Sequence, residues 1–442
     1  REGVLDMSAN ATAPPNYVVF VALSFCFTFG AYFAVANQLT SILGQMGFFI
    51  LSIIQGSFLI GTFFGALVLS KIGNRASFIL GSFGFALFAL VLGLVLNMPE
   101  ARWILYPVSA ITGVSASWMW CAQGVYVSAL FEAKDQGSGF GKFNSLFSLN
   151  GVWAFLLLLI LAETNVPQST IVWIFFSFSV VGVLSFTFFV KDWPPPTNTT
   201  TSTPTTTPTP SLVTQCGAVL RMFAVKDQLL QGTLALWAGN TEGMYWGRIA
   251  AEYKSPTLIA ACFLTQSIVA LFGSILLGKM SDKVGRYKAV VLCLIIAIAT
   301  NFATGYGCAI LPSSFILDPK TNATVAVYVE GVEGMRWGLL LVGAFGFGVS
   351  DFPAQGIMRA QYFSMWEHAP SNVDAAFSHM LCILMSGTLA AALYGGFVDP
   401  WISIHTNSLL ALLALICQYF LPLHVNRLLH VPDKNKKSRS GN

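Results

Sequence analysis

The sequence predicts an all-α membrane protein with twelve transmembrane helices in two pseudo-symmetric six-helix bundles. Of its 442 residues, 55% are hydrophobic and only 10% are charged, whereas a soluble chain has about 25% charged residues. Twelve apolar runs are long enough to cross a bilayer, which takes roughly 20 apolar residues. Landmarks of the first six runs also recur, in order, in the last six. Composition, run length and repetition therefore indicate the same fold class.

The apolar runs lack the alternation of barrel strands, so helices are favoured over a transmembrane barrel. The first run has neither a basic flank nor a cleavage site and is predicted to be a retained helix, not a signal peptide. The twelve runs lie at 17–37, 45–70, 77–96, 104–130, 143–162, 170–190, 229–247, 256–278, 288–310, 336–358, 374–397 and 402–423. They divide the chain into an N-terminal segment (1–16), a first bundle (17–190), a linker (191–228), a second bundle (229–423) and a basic tail (424–442).

The distribution of basic residues predicts the orientation of the protein in the membrane. With the N-terminus in the cytoplasm, 18 of the 23 Lys and Arg residues fall inside and five fall outside. The positive-inside rule therefore predicts that both termini are cytoplasmic. The loop before the tenth span is then outside, and its sequon at Asn322 is a predicted glycosylation site. Charge does not distinguish the plasma membrane from an internal membrane.

Between the two sets of spans, residues 194–210 read PPPTNTTTSTPTTTPTP. This composition cannot bury apolar surface and predicts an extended linker. Residues 212–226 follow it with apolar and basic positions interleaved. Two interpretations remain open for this stretch: a short interfacial helix or an extension of the seventh span.

Three matches between the halves indicate an internal duplication. Their offsets are 213, 212 and 232 residues, and the larger third offset is absorbed by the long loop before the tenth span. The matched segments are 30–33 with 243–246, 70–75 with 282–286, and 122–124 with 354–356.

Residues 278–286, Gly-Lys-Met-Ser-Asp-Lys-Val-Gly-Arg, resemble the G-x-x-x-D-x-x-G-R loop signature of the major facilitator superfamily. Gly285 permits a tight turn, while Asp282 and Arg286 are expected to pair with neighbouring helix ends and stabilise one gate position. The first-half copy keeps Gly73 and Arg75 but has a serine in place of the acid. The prediction of a charged gate is therefore weaker for that half.

Within the superfamily the chain resembles the Unc-93-like family. The resemblance lies in residues 39–43 (LTSIL), 113–126 (GVSASWMWCAQGVY) and 346–351 (GFGVSD), and it covers nearly the whole first half with parts of spans ten and eleven. It implies the major facilitator fold of twelve helices in two bundles. For function it implies two possibilities, since members look like transporters, but those with assigned roles regulate potassium channels or potassium homeostasis, or escort membrane receptors.

Two acids, Glu242 and Asp351, lie near the middle of predicted spans, where ionisable groups are costly and are candidates for function. Glu242 is about 13 residues into span seven, or roughly 20 Å along a helix. The resemblance implies that spans one, four, seven and ten line a central cavity, where two carboxylates would attract a cation or share a proton. The alternative is that Arg248 and Arg359 pair with them in a structural role.

Further candidates for the substrate or ion pathway are an imidazole, two amides and three aromatic side chains. His379 has a titration range suited to proton coupling, although a packed histidine is the more common case. The amides either line a hydrated path or join helices, and the aromatic faces either bind a cation or pack in the core. These candidates are His379, Gln123, Gln355, Tyr32, Tyr245 and Trp246.

Other function classes find no support. The basic residues are dispersed, which argues against nucleic acid. The segment around Gly141-Lys142 has Phe143 where a phosphate-binding loop needs Ser or Thr. No nucleophile–base pair and no metal-ligand spacing occurs, so no enzyme, cofactor or metal is predicted. Two hypotheses remain: a secondary transporter of a small cationic or proton-coupled solute, or a non-transporting regulator or trafficking escort of a channel or receptor partner in the lipid bilayer.

Overall fold

A computed structural model describes most of the chain. The described residues are 17–132, 135–164, 166–191, 212–249, 256–310, 314–317, 324–327, 331–366, 373–395 and 398–429. The predictions for the N-terminal segment, the Thr/Pro linker tract, the Asn322 sequon and the basic tail lie outside these residues.

The first half consists of helices that account for spans one to six. The helix α3 contains two of these spans, which meet at Gly73, where the backbone leaves helical geometry. The elements are α1 (Tyr17–Ala36), α2 (Leu39–Leu43), α3 (Gln45–Val95), a short 3-10 helix (Pro99–Ile104), α4 (Leu105–Ala129), α5 (Gln136–Glu163) and α6 (Gln168–Phe189).

The second half repeats this arrangement after a short helix, α7. The seventh span ends in a π-helical turn at Met244–Ile249, and the tenth is broken into two helices at Asp351. The elements are α7 (Leu212–Met222), α8 (Lys226–Gly243), α9 (Pro256–Val284), α10 (Arg286–Ala309), α11 (Val332–Ser350), α12 (Phe352–Met365), α13 (Val373–Gly395) and α14 (Pro400–Leu429).

The loop between α10 and α11 contains a feature that the hydropathy pattern did not indicate. Strands β1 (Ser314–Leu317) and β2 (Thr324–Val327) pair antiparallel, with Ser314 opposite Val327 and Leu317 opposite Thr324. Both strands are rich in β-branched or aromatic residues, which suit a pleated strand. The rest of the described architecture is helical, as predicted.

The two repeated turns have the same backbone geometry. Gly73, between spans two and three, has φ 79°, and Gly285, between α9 and α10, has φ 108°. Glycine adopts positive φ without the steric cost that a Cβ imposes. The internal repeat read from the sequence therefore corresponds to equivalent turns on one side of the bundle, called here the glycine-turn side.

Helix contacts follow the same pseudo-symmetry. Within the first half α1 packs on α5 and α6, and within the second half α8 packs on the equivalent helices α13 and α14. Between the halves, α5 packs along α9 and α13 packs along α3. The α5–α9 interface is close because Gly278 of α9 lies against Gly137 and Gly141 of α5. The predicted two-bundle architecture is confirmed.

The outer surface suits a bilayer. Within the described ranges, ten helical segments are long and apolar enough to cross a membrane by length and composition. The other two spans, α4 and α8, contain more Ser, Thr, Gln and Asn, and both contribute residues to the central cavity described below. The described large side chains exposed on the spanning helices include many Phe, Leu and Ile residues. The chain is a multi-pass integral membrane protein.

Candidate functional site

Two interruptions of regular α-helix place the acids at the centre of the molecule. Glu242 lies one residue before the end of α8, where the π-helical turn begins. Asp351 lies between α11 and α12 with φ −74° and ψ −102°, outside the helical region. Pro353 near the start of α12 cannot donate to an i−4 carbonyl, which explains why the helix restarts here. Both acids are buried, with 6% and 2% of their surfaces exposed.

Gln355 joins the two acids. Its Nε2 donates to Oε1 of Glu242 and also to Oδ1 of Asp351, the latter at 2.8 Å. Gln266 of α9 donates from Nε2 to the second carboxylate oxygen of Asp351 at 3.0 Å. One amide nitrogen, Nε2 of Gln355, is thus shared by an oxygen of each acid. Two of the predicted site residues thus meet, and a third bridges them.

Arg359 completes this cluster from one turn further along α12. Its Nη2 donates to Oε1 of Gln355 at 3.1 Å, and its guanidinium carbon lies 5.0 Å from the centre of the Trp120 ring. The side chain is 2% exposed. Its Nε and Nη1 have no hydrogen-bond partner among the described residues. Arg359 therefore reaches the acids through Gln355, and not through the direct ion pair with Asp351 considered as the structural alternative.

The cluster formed by Glu242, Asp351, Gln355 and Arg359 is called here the acid–amide–arginine cluster. With both acids ionised its formal charge is −1, and with one proton bound it is neutral. An uncompensated charge is costly when it is buried away from water. The geometry is therefore suited to hold one proton on a pair of carboxyl groups, or to compensate the missing proton with a bound cation. The side chain of Arg248, the alternative partner of Glu242, lies outside the described residues.

A small cavity opens beside the cluster, at the junction of the two halves. The second half presents Glu242, Gln355 and Arg359 to it. The first half presents mainly aromatic and apolar side chains. These include Phe29, Tyr32, Phe33, Phe58, Phe85 and Trp120. One wall is thus polar and charged, and the facing wall is aromatic.

Tyr32 and Tyr245 are repeat partners, but their side chains differ in position. Tyr32 and Trp246 line the cavity, and the Trp246 ring lies 4.6 Å from that of Phe33. Tyr245 instead points into the second bundle. Its hydroxyl is 2.8 Å from that of Thr304, and its ring stacks on Phe347 at 4.3 Å. The repeat is preserved in the backbone but not in the environment of the side chains.

Two further candidates lie apart from the cavity wall. Gln123 of α4 is fully buried, and neither atom of its amide has a hydrogen-bond partner among the described residues. His379 of α13 is fully buried with its ring edge-on to Phe223 at 4.3 Å. Neither ring nitrogen of His379 has a partner in the described part of the chain. The structure thus brings neither residue into the acid–amide–arginine cluster.

The candidate gating residues lie on the glycine-turn side. Asp282 accepts hydrogen bonds from the backbone and the hydroxyl of Ser138 in α5, and Arg286 lies 3.9 Å from Asp282. Arg286 also donates to the carbonyl of Ala360 at 2.8 Å. In the first half, Arg75 donates to the carbonyl of Thr187 at 2.5 Å. Both arginines bond to carbonyl groups of a neighbouring helix, but in the described structure only the second-half turn carries an acid that reaches across to the other half.

The sequence indicates Arg359 only as a structural partner of Asp351. A usable signal was nevertheless present, because Asp351, Gln355 and Arg359 are spaced by four and recur on one face of a helix. The aromatic wall had no such signal. Aromatic residues are frequent throughout the first half, and their spacing does not show which of them face the interface.

Comparisons with known proteins agree with this architecture. The family model described as Major Facilitator Superfamily matches residues 18–359. The protein named UNC93-like protein 3 from Arabidopsis thaliana is 22% identical over 255 residues, which is 54% of this chain and 54% of the relative. The chain thus spans about half the length of that curated relative.

A solved structure is similar over nearly the whole length. The crystal structure described as the human organic anion transporter MFSD10 (TETRAN) superposes with a TM-score of 0.64 at 15% sequence identity. The superposition covers 92% of this chain and 100% of that one. At this identity the similarity shows the fold alone.

Proposed function

The chain belongs to the Major Facilitator Superfamily, and on that premise we propose that it is a secondary transporter of a small, proton-coupled solute. The observation that carries this proposal is the pair of buried acids, Glu242 and Asp351, joined by Gln355 beside a cavity between the halves. Buried carboxyl groups inside a membrane protein mark ion and proton paths. The bundles at 17–190 and 229–423 are the two moving bodies.

Proton coupling fits the cluster better than binding of a bare cation. Arg359 is hydrogen-bonded to the same Gln355 that bridges the acids, so a metal cation beside them would also lie beside a guanidinium. A proton held between two carboxyl groups adds no such repulsion. Release of that proton leaves a formal charge of −1 in the cavity. This charge change gives the protein a reason to bind solute and proton together.

Alternating access requires a gate that holds one side closed. The Asp282–Ser138 hydrogen bonds join α9 to α5 on the glycine-turn side, which the distribution of basic residues predicts to be cytoplasmic. The proposed resting arrangement is therefore latched on the cytoplasmic side. Opening requires these bonds to break and the α5–α9 interface to separate.

A second function is favoured by one observation, the relative named UNC93-like protein 3. The resemblance to that family supports a regulatory subunit or trafficking escort of a channel or receptor as the alternative. Such a protein needs no proton exchange at the acids. It would instead present polar side chains on its outer face to a partner. Ser177, an exposed polar residue of α6, does not favour this function, because its hydroxyl donates to the Trp173 carbonyl in its own helix.

Proton flux into proteoliposomes separates the two functions. The purified protein is reconstituted, an inward proton gradient is imposed, and lumenal pH is followed while potassium or pooled organic solutes are supplied. The transporter is expected to acidify the lumen with one of these pools. Glu242→Gln and Asp351→Asn should abolish this flux, whereas Glu100→Gln, which removes an exposed acid from a loop helix, should not. Absence of flux from folded wild-type protein, with capture of a channel or receptor partner, would support the regulatory function.

A further inference from the structure

We propose that the central cavity binds an amphiphilic organic anion, with its acid group at Arg359 and an aromatic body against the wall of the first half. This proposal deepens the transporter function and rests on it for the movement of the ligand. Binding itself does not depend on transport. The proposal is carried by the unsatisfied donors of Arg359, the aromatic wall and the charge of the cluster.

The guanidinium of Arg359 has donors to offer. Among the described residues, Nε and Nη1 have no hydrogen-bond acceptor, although the side chain is 2% exposed. A buried donor without a partner is destabilising, and a charged one more so. The remaining nitrogen is held by Gln355 and the face of the group lies over Trp120. The group is thus positioned, and an anionic ligand would supply the acceptors that the protein does not.

The facing wall is suited to a flat apolar body. Phe85 lies 4.7 Å from both Phe29 and Tyr32, measured between ring centres, and Phe29 lies 5.2 Å from Trp120. These rings form a continuous aromatic surface from α1 through α3 to α4. The free space beside these rings is small in this arrangement, so a ligand enters only when the two halves separate. A bicyclic aromatic ligand would stack there with its acid group directed at Arg359.

The charge of the cluster determines how tightly an anion binds. With Glu242 and Asp351 both ionised, the cluster is already −1 and repels an anion. With one proton it is neutral, and with two it is +1 and attracts one. Of the described cavity-lining residues, Glu242, Arg359 and Tyr32 are ionisable, and Asp351 lies directly behind Gln355. The anion is therefore expected to bind more tightly as pH falls and the acids gain protons.

Three probes with the same ring system test the head group. Naphthaleneacetate, naphthaleneacetamide and naphthaleneethylamine differ in carrying an anionic, neutral or cationic group. Binding to the purified full-length protein in nanodiscs is measured by calorimetry at mildly acid and mildly alkaline pH. The carboxylate is expected to bind at least about tenfold more tightly than the other two, and more tightly at the lower pH. Nanodiscs have no second compartment, so a protein that fails to transport can still pass this test.

Variants at Arg359 identify the receptor for the acid group. Arg359→Gln should remove the preference for the carboxylate by at least about tenfold. Because this change leaves two acids without their neighbouring cation, the variant Arg359→Gln with Asp351→Asn restores the charge balance and protects against misfolding. Arg221→Gln, on the exposed face of α7, is the matched control. Thermal unfolding verifies that each protein is folded.

The outcomes decide the proposal. Preference for the carboxylate that is lost in both Arg359 variants and kept in the Arg221 variant supports it. Tightest binding of the amine, an unchanged preference after loss of Arg359, or binding of none of the three probes by folded wild-type protein overturns it. Failure of proton flux with intact carboxylate binding would instead count against the transporter function alone.

Discussion

Asp282 of α9 accepts two hydrogen bonds from Ser138 at the start of α5, one from the backbone N–H and one from the hydroxyl, both at 2.7 Å. Ser138 lies in the first turn of its helix, where N–H groups lack an intrahelical partner. A carboxylate at this position also interacts favourably with the positive end of the helix dipole. The pair therefore ties the second half of the molecule to the first on the glycine-turn side.

Loss of this contact is expected to open the glycine-turn side. Asp282→Ala should cost about 1–3 kcal/mol of closure free energy, because a partly buried, charge-assisted contact is removed, and should shift the population toward the open state. Distances between spin labels on α5 and α9 would measure this shift. Ser70→Ala is the matched control at the equivalent turn, since among the described residues the Ser70 hydroxyl bonds to the Leu67 carbonyl in its own helix. Equal distances in wild type and Asp282→Ala would refute the latch.

Gln355 and Gln123 are repeat partners with opposite environments. The Gln355 amide is bonded to Glu242, Asp351 and Arg359, whereas the Gln123 amide has no partner in the described part of the chain. Gln355→Leu is therefore expected to lower stability by about 1–3 kcal/mol, while Gln123→Leu should be neutral or stabilising. Thermal unfolding in matched detergent checks both. The idea fails if the two variants are destabilised to the same extent.

Gly239 is expected to be essential for helix packing. A Cβ at this position of α8 would overlap the backbone carbonyl of Leu384 in α13. Gly239→Ala should thus force the two helices apart and lower the unfolding temperature, at a cost of about 1–3 kcal/mol for overpacking. Gly217→Ala on α7, where nothing lies within 4 Å, is the control and should be neutral or slightly stabilising. Unfolding temperatures that rank the other way would contradict the close α8–α13 contact.

Tyr32 and Tyr245 are expected to have different roles, Tyr32 in ligand binding and Tyr245 in packing of the second bundle. Tyr245→Phe breaks the hydroxyl contact with Thr304 inside the second bundle, so it should destabilise the protein by about 1 kcal/mol. Tyr32→Phe changes a cavity-lining ring and should leave stability unchanged while altering ligand affinity. Unfolding temperature and probe binding, measured on both proteins, test the assignment. A stability loss at Tyr32 alone would reverse it.

The sequence predicted the features that depend on composition and order. Run lengths and hydropathy identified the spans, and the repeats of Gly73 and Gly285 identified equivalent turns. The acids were predictable as candidates because a carboxyl group inside a membrane stands out against apolar neighbours. Their proximity was predictable only through the resemblance, which implies that spans seven and ten share a cavity.

What could not be predicted depends on which face a helix turns toward its neighbours. A spanning helix is apolar on both its lipid-facing and its packed sides, so hydrophobic periodicity does not identify the inner face. Tyr245 thus carried the same expectation as Tyr32, although one packs inside a bundle and the other lines the cavity. The hydrogen bonds of Gln355 required the break at Asp351, whose geometry is a tertiary property. The orientation of Arg359 over Trp120 likewise joins two halves that are far apart in sequence.

The central claim is that the Glu242–Asp351 pair carries the coupled proton, and the most direct test compares two modes of transport in Glu242→Gln. The solute is one that supports proton flux in the proteoliposome assay. Two quantities are measured: accumulation of this solute driven by a proton gradient, and exchange of the solute across the membrane without a gradient. The account predicts that Glu242→Gln retains exchange and loses accumulation. The neutral amide resembles the protonated carboxyl group and can hold the site closed, but it cannot release a proton. Accumulation at the wild-type level in Glu242→Gln would contradict the account.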